Sequence, residues 1–183
     1  MGKALAEAVL AAGHEVVIVS GPVEVTYPEQ AELISVISTE EMLHECQRLF
    51  ERCTGMIGVA APCDYRPVRV EPHKISKTGQ PLELRLVETP DIVATLGEHK
   101  RPDQWVVGFA LETDDPRIKA LVKLEKKHCD LIVLNGPEAM NSLDNTVDVM
   151  DRGGAVIASL TGPKSDVARG IFGVIQERLI RKS

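Results

Sequence analysis

Residues 105–134, WVVGFALETDDPRIKALVKLEKKHCDLIVL, decide the fold. The stretch begins with an apolar run at 105–110, continues through a helical pattern at 116–127 and ends with a second apolar run at 131–134. Short runs rich in Val and Ile are typical of strands buried on both faces of a parallel sheet, and the helix between them supplies the crossover. The stretch therefore predicts a β-α-β unit.

The same alternation extends over the rest of the chain. Further helices are predicted at 2–12, 40–53, 90–98 and 165–180, and further strands at 15–20, 33–38, 55–61, 83–87, 146–150 and 155–160. The last two strands flank Asp-Arg-Gly-Gly at 151–154, a hairpin signal. Thr39 and Thr89 are the predicted N-caps of the helices that follow them. We expect one α/β domain over 1–183, with a Rossmann-like, doubly wound, mostly parallel sheet and a late β-hairpin.

The predicted order begins with a helix instead of a strand. A doubly wound fold normally starts with a strand and a glycine-rich turn, whereas Met1 and Gly2 lead directly into the first helix. We therefore expect that the first strand is missing and the domain is N-terminally incomplete, or that this fold begins unusually.

Composition narrows the class of protein. The net charge of −6 argues against a general nucleic-acid binder. No apolar run approaches the roughly 18 residues of a membrane span, and no signal peptide is recognisable, so we expect a cytoplasmic protein. The four cysteines form no CxxC pair and the five histidines are scattered, so a structural zinc site is not expected.

Polar and glycine-bearing segments follow four of the predicted strands. They occupy 20–22, 60–66, 109–113 and 135–137. Open parallel sheets bind ligands where the carboxyl ends of strands meet the N-termini of helices, so these segments predict a binding crevice at one edge of the sheet.

Eight motifs, in order along the chain, resemble phosphopantothenoylcysteine synthetase. They are MGKALAEA, VSGPV, AAPCDYRP, HKISK, ETPDI, VVGFALET, KLEKKHCDLIVLN and DNTVDVMDRGG. The resemblance implies a ligase that activates the carboxylate of 4′-phosphopantothenate with a nucleoside triphosphate, CTP favoured over ATP, and joins the acyl-nucleotide to L-cysteine. It also implies Mg²⁺ as a cofactor and a homodimer.

The resemblance also implies the residues of the site. Lys74 matches a lysine of the family's mobile loop and is the implied catalytic residue, and Lys77 lies in the same loop. Lys123 and Lys127 match a pair that contacts the nucleotide, although Lys126 is an equal candidate on the residues alone. Besides Lys123 and Lys127, the implied nucleotide-binding residues are Gly58, Val59, Ala60, Asp64, Lys74, Thr89, Pro90, Asp91, Ile92 and Phe109.

Asp64 leaves two roles open. Its carboxylate could accept hydrogen bonds from the ribose or base, or it could hold the metal, and the metal ligands are otherwise unknown.

The chain departs from the family pattern at several positions. Pro62 and Cys63 replace Val-Ala before Asp64, and the proline removes an N–H donor. Thr89 replaces the usual asparagine, and the family's first strand and the asparagine-containing segment before Met1 are not in the sequence. These departures keep open a non-catalytic homologue. A Rossmann-type NAD(P)- or flavin-binding module is a further alternative, which requires a glycine-rich loop after the first strand.

Overall fold

The computed structural model describes residues 1–111, 116–135 and 144–180. The helices are α1 (Gly2–Ala11), α2 (Thr39–Phe50), α3 (Ile92–His99), α4 (Pro116–Lys126) and α5 (Lys164–Arg178). The strands are β1 (Val17–Ser20), β2 (Glu32–Ser35), β3 (Gly55–Gly58), β4 (Tyr65–Pro67), β5 (Leu86–Glu88), β6 (Trp105–Leu111), β7 (Leu131–Asn135), β8 (Asp144–Asp151) and β9 (Val156–Pro163). The predicted β-α-β unit is thus present as β6-α4-β7.

The central sheet has the strand order β3-β6-β7-β8-β9. Strands β3, β6 and β7 are parallel, whereas β8 and β9 form the predicted antiparallel hairpin. Two smaller sheets lie outside it: the parallel pair β1-β2 and the antiparallel pair β4-β5. The predicted α/β, Rossmann-like class with a late hairpin is confirmed.

Two predicted helix caps are wrong. Ser38, not Thr39, caps α2: its hydroxyl accepts a hydrogen bond from the Glu41 N–H at 3.1 Å, and the Glu41 carboxylate accepts one from the Ser38 N–H at 3.5 Å. This reciprocal capping box satisfies two of the orphan N–H groups at the helix start. Asp91, not Thr89, caps α3, which begins at Ile92 and not at Pro90, because the Asp91 carboxylate accepts from the Ala94 N–H at 3.0 Å.

The other boundary differences come from strand pairing and helix length. The strand predicted at 55–61 ends at Gly58, where its pairing with β6 stops. The strand predicted at 83–87 is the shorter β5, paired only with β4. The strand predicted at 33–38 ends at Ser35, and the helix predicted at 40–53 ends at Phe50.

The apolar core has one cluster on each face of the central sheet. On one face α1 and α5 cover the odd-numbered residues of β6 and β7, including Val107 and Val133. On the other face α2, α3 and α4 cover the even-numbered residues, including Val106 and Ile132. This alternation is the period of two that a strand imposes on its side chains. Among the described residues, none of the helices combines the length and the apolar character that a membrane span requires.

Candidate functional site

The candidate site lies at the carboxyl edge of the parallel strands. Strands β3, β6 and β7 end towards this edge at Gly58, Leu111 and Asn135, with Leu111 paired to Asn135 and Gly58 paired to Gly108. Of the predicted crevice segments, residues 60–66 follow β3 and 109–111 end β6, while 112–113 and 136–137 lie outside the described residues. Residues 20–22 begin at the last residue of β1, in the separate parallel pair.

Helix α3 packs closely against the end of β3 because Gly58 has no side chain. A Cβ atom at Gly58 would lie 2.6 Å from the Val93 Cγ2 atom. Val59 is half-buried against the α1/α5 face, and Ala60 is exposed. Gly58 therefore has a packing reason as well as the predicted role of letting a nucleotide approach.

An exposed arm, residues 60–88, leaves the sheet after β3. Every residue in it is exposed, and β4 and β5 pair within it. Thr89 closes its base, because the Thr89 N–H donates to the Asp64 carbonyl at 2.9 Å and its hydroxyl donates to the Cys63 carbonyl. Arg66 forms an ion pair with Glu40 near the start of α2, which links the arm to the domain.

The arm carries Asp64 and Lys74. Within the described part of the chain, neither the Asp64 carboxylate nor the Lys74 ammonium makes a hydrogen bond or ion pair with another side chain. Both groups are exposed and available to a ligand. No hydrogen bond or ion pair among the described residues joins Lys74 to the other candidate residues.

Two candidate residues from different helices do meet. The Lys127 Nζ atom lies 3.0 Å from the Asp91 Oδ2 atom. Lys127 follows α4 directly, and its N–H donates to the Lys123 carbonyl at 2.9 Å, which completes the last helical turn. Lys123 and Lys127 are both half-buried, as expected for residues four apart on one face.

The remaining predicted residues, Ile92, Pro90 and Phe109, differ in how deeply they are buried in the core. Ile92 is buried in the cluster under α2, α3 and α4, so its backbone is the part that can reach a ligand. Pro90 is half-buried beside it. Phe109 is half-buried and packs against the cluster under α1 and α5, on the other face of the sheet.

Two asparagines at the same edge have buried side-chain oxygens. Asn135 ends β7 and Asn145 is only 4% exposed near the start of β8, and neither Oδ1 atom has a hydrogen-bond partner in the described ranges. Sequence reasoning noted Asn135 as part of a strand exit but missed Asn145. The missed signal is the alternation of Asn145 with Val147 and Val149, which places an amide in an otherwise apolar row.

Two of the thiols are buried, and the described residues form no ready-made metal site. Burial raises the pKa of the Cys46 and Cys129 thiols to about 11. No group of three His, Cys, Asp or Glu side chains suited to a metal ion exists in the ranges that the structure describes.

A surface cleft lined by Asp130, Arg152 and Arg178 lies at the amino edge of β7, away from the arm.

Comparison with known proteins gives the family. A family model described as DNA/pantothenate metabolism flavoprotein C-terminal domain matches residues 1–179. The chain is 34% identical over 181 residues to the coenzyme A biosynthesis bifunctional protein CoaBC of Haemophilus influenzae, covering 97% of this chain and 45% of that protein. The chain thus spans about half the length of this curated relative.

Solved structures agree with the fold. The crystal structure of the C-terminal domain of a coenzyme A biosynthesis bifunctional protein CoaBC aligns with a TM-score of 0.78 at 31% identity, covering 96% of this chain and 80% of that one. A Cab2 mutant, H337A, in complex with phosphopantothenate-cysteine shares the fold, with a TM-score of 0.79 at 16% identity over 97% of this chain and 76% of that one. The resemblance to phosphopantothenoylcysteine synthetase is confirmed. The chain belongs to the family of DNA/pantothenate metabolism flavoprotein C-terminal domains.

Proposed function

We propose that this domain is a cytoplasmic ligase that joins 4′-phosphopantothenate to L-cysteine, with CTP favoured over ATP as the activating nucleotide. The observation that carries the proposal is that the exposed Asp64 carboxylate and Lys74 ammonium pair with no described side chain and lie on the arm that leaves the carboxyl edge of the sheet. The family membership and the related structure with phosphopantothenate-cysteine support the substrate class.

The chemistry requires these kinds of groups. The carboxylate oxygen of phosphopantothenate attacks the α-phosphorus of the nucleotide and pyrophosphate leaves, because a free carboxylate is a poor acyl donor. The cysteine amine then attacks the acyl carbon, the nucleoside monophosphate leaves, and the amine loses a proton. The first step brings two anions together, so cations at the site stabilise it and positioning supplies most of the rest.

Lys74 would supply such a cation from the arm. Its place in an exposed, irregular stretch between β4 and β5 lets it approach a triphosphate at the edge of the sheet. Lys127, held at Asp91, would supply a second ammonium from the domain itself.

Asp64 fits the requirement of a magnesium ion. Mg²⁺ is typically bound by one or two carboxylates together with substrate phosphates, and the Asp64 carboxylate is exposed and unpaired in the described part of the chain. Asp64 would hold the ion with the triphosphate, and the bound ion would screen the phosphate charge.

A pyrophosphate-release assay tests the function. We expect release that depends on CTP, Mg²⁺, phosphopantothenate and cysteine together, and we expect Lys74→Gln to abolish it without changing the melting temperature. Arg69→Gln is the matched control, because it removes one positive charge from the same arm, and among the described residues it disturbs only an exposed pair with Glu71. Full turnover in Lys74→Gln, or equal losses in both variants, would remove Lys74 from the site.

We also propose a homodimer in which the arm packs against a second copy of the chain. Apolar side chains on the arm are exposed, with Val70 at 82% and Leu82 at 64%. An exposed apolar surface of this kind is typical of an interaction site. Analytical ultracentrifugation should find a dimer that Val70→Asp weakens, and a wild-type monomer at micromolar concentration would contradict the proposal.

A further inference from the structure

The main chain of Lys127 and its ammonium lie at different ends of α3. The Lys127 carbonyl packs against Gly97 near the C-terminal end of α3, where an added Cβ would lie 2.1 Å from the carbonyl oxygen. Its Nζ atom reaches Asp91, the N-cap at the other end of the same helix. Six residues of helix span about 9 Å, so the Lys127 side chain lies extended along α3.

The carboxylate that receives this ammonium is held in place. One oxygen of Asp91 accepts the Ala94 N–H at 3.0 Å as the helix cap, and the other oxygen lies 3.0 Å from Lys127 Nζ. The start of α3 lies at the carboxyl edge of the sheet, because Val93 packs on Gly58 at the end of β3. The Lys127 main chain lies near the C-terminal end of α3, but its ion pair with Asp91 places the ammonium at the start of α3, beside the candidate site.

We propose that Asp91 is a positioning residue for the nucleotide: it binds no phosphate itself and acts by holding Lys127 at the carboxyl edge. This inference rests on the proposed function. A lysine ammonium has three donors, so Lys127 can keep its bond to Asp91 and still donate to a phosphate. Lys127 is 26% exposed, which leaves it accessible to a ligand. Because lysine loses much rotamer freedom when it is fixed, an ammonium that is already held binds a phosphate at a lower entropic cost.

The variant Asp91→Asn separates positioning from helix capping. Asparagine caps a helix as well as aspartate does, but it carries no charge to hold Lys127. Glu98→Gln is the matched control, since it removes one carboxylate from the same helix and Glu98 has no partner among the described residues. We expect both variants to melt within about 2 °C of the wild type.

Calorimetric titration with CTP and Mg²⁺ measures the positioning effect. We expect Asp91→Asn to weaken CTP binding roughly 3- to 5-fold, as for a partly exposed ion pair, and Glu98→Gln to leave it unchanged. In steady-state assays the KM for CTP should rise while the KM for cysteine stays constant. Adding Asp91→Asn to Lys127→Met should cause no further loss, because the partner on which Asp91 acts is already gone.

Lysine acylation by an amine-reactive ester, followed by mass spectrometry, gives a readout that needs no nucleotide. Asp91→Asn should speed labelling of Lys127 and leave the neighbouring, exposed Lys126 unchanged. Unchanged Lys127 labelling, unchanged CTP affinity or additive effects with Lys127→Met would each overturn the positioning role. Failure of the wild type to bind any nucleoside triphosphate would instead refute the proposed function.

Discussion

The strongest prediction about stability concerns Asp130, just before β7. One carboxylate oxygen lies 2.6 Å from Lys100 Nζ and accepts the Val106 N–H at 2.7 Å, and the other lies 2.5 Å from an Arg152 nitrogen. The side chains of Asp130 and Lys100 are only 14% and 12% exposed, whereas Arg152 is 62% exposed. Asp130 thus joins α3, β6 and the hairpin at the amino edge of the sheet.

Asp130→Ala leaves two buried donors without their acceptor. Removal of one partner from a buried ion pair costs about 3–5 kcal/mol, and we expect the lower part of this range because Lys100 also donates to the His128 carbonyl at 2.7 Å. The exposed Arg152 pair adds about 0–1 kcal/mol. For a domain of this size, a loss of about 3 kcal/mol lowers the melting temperature by roughly 6–12 °C.

Urea unfolding and calorimetry of three variants test this reasoning. Asp130→Asn should cost less than Asp130→Ala, because the amide oxygen still accepts the Val106 N–H. Arg152→Met is the control and should change the free energy of unfolding by no more than about 1 kcal/mol. If Asp130→Ala is no more destabilising than Arg152→Met, the buried carboxylate does not hold this edge together.

Three further predictions concern the thiols and a strand glycine. At pH 8 a thiol reagent should modify exposed Cys63 quickly and Cys46 and Cys129 slowly, because burial raises the pKa of these two thiols to about 11. Their raised pKa also means that the free energy of unfolding falls as pH rises from about 9 towards 11, since the unfolded thiols ionise first; a constant urea midpoint over that range would contradict the shift. Gly55→Ala should cost roughly 1–3 kcal/mol, because its Cβ would lie 2.0 Å from the Trp105 ring, and a wild-type urea midpoint would disprove the clash.

The helix starts show where local sequence was sufficient. The capping box of Ser38 and Glu41 lies within four consecutive residues and can be recognised from the sequence as Ser-x-x-Glu. The prediction of Thr39 as the N-cap overlooked this motif. The choice between Thr89 and Asp91 is different, because both residue types cap helices. Thr89 is used at the base of the arm, where it bonds to Cys63, 26 residues away, and no local pattern reveals that contact.

Motif matching named the candidate site residues, but it could not give their geometry. Helical spacing placed Lys123 and Lys127 on one face of α4. It could not show that Lys127 extends along α3 to Asp91, since that contact depends on how closely two helices pack over Gly97.

The candidate residues fall into two groups: those whose residue type the packing of the fold explains, and those whose residue type it does not explain. Gly58 makes room for Val93, Ile92 fills the core, and Phe109 packs under α1 and α5, so the fold alone accounts for their residue types. Asp64 and Lys74 stabilise no described contact through their side chains, since they lie on an arm whose every residue is exposed. A charged group that does nothing for the fold can be replaced without unfolding it. Loss of activity in variants of these two residues that still form the dimer would therefore report on ligand chemistry, whereas loss in a Gly58 or Ile92 variant would mix chemistry with packing.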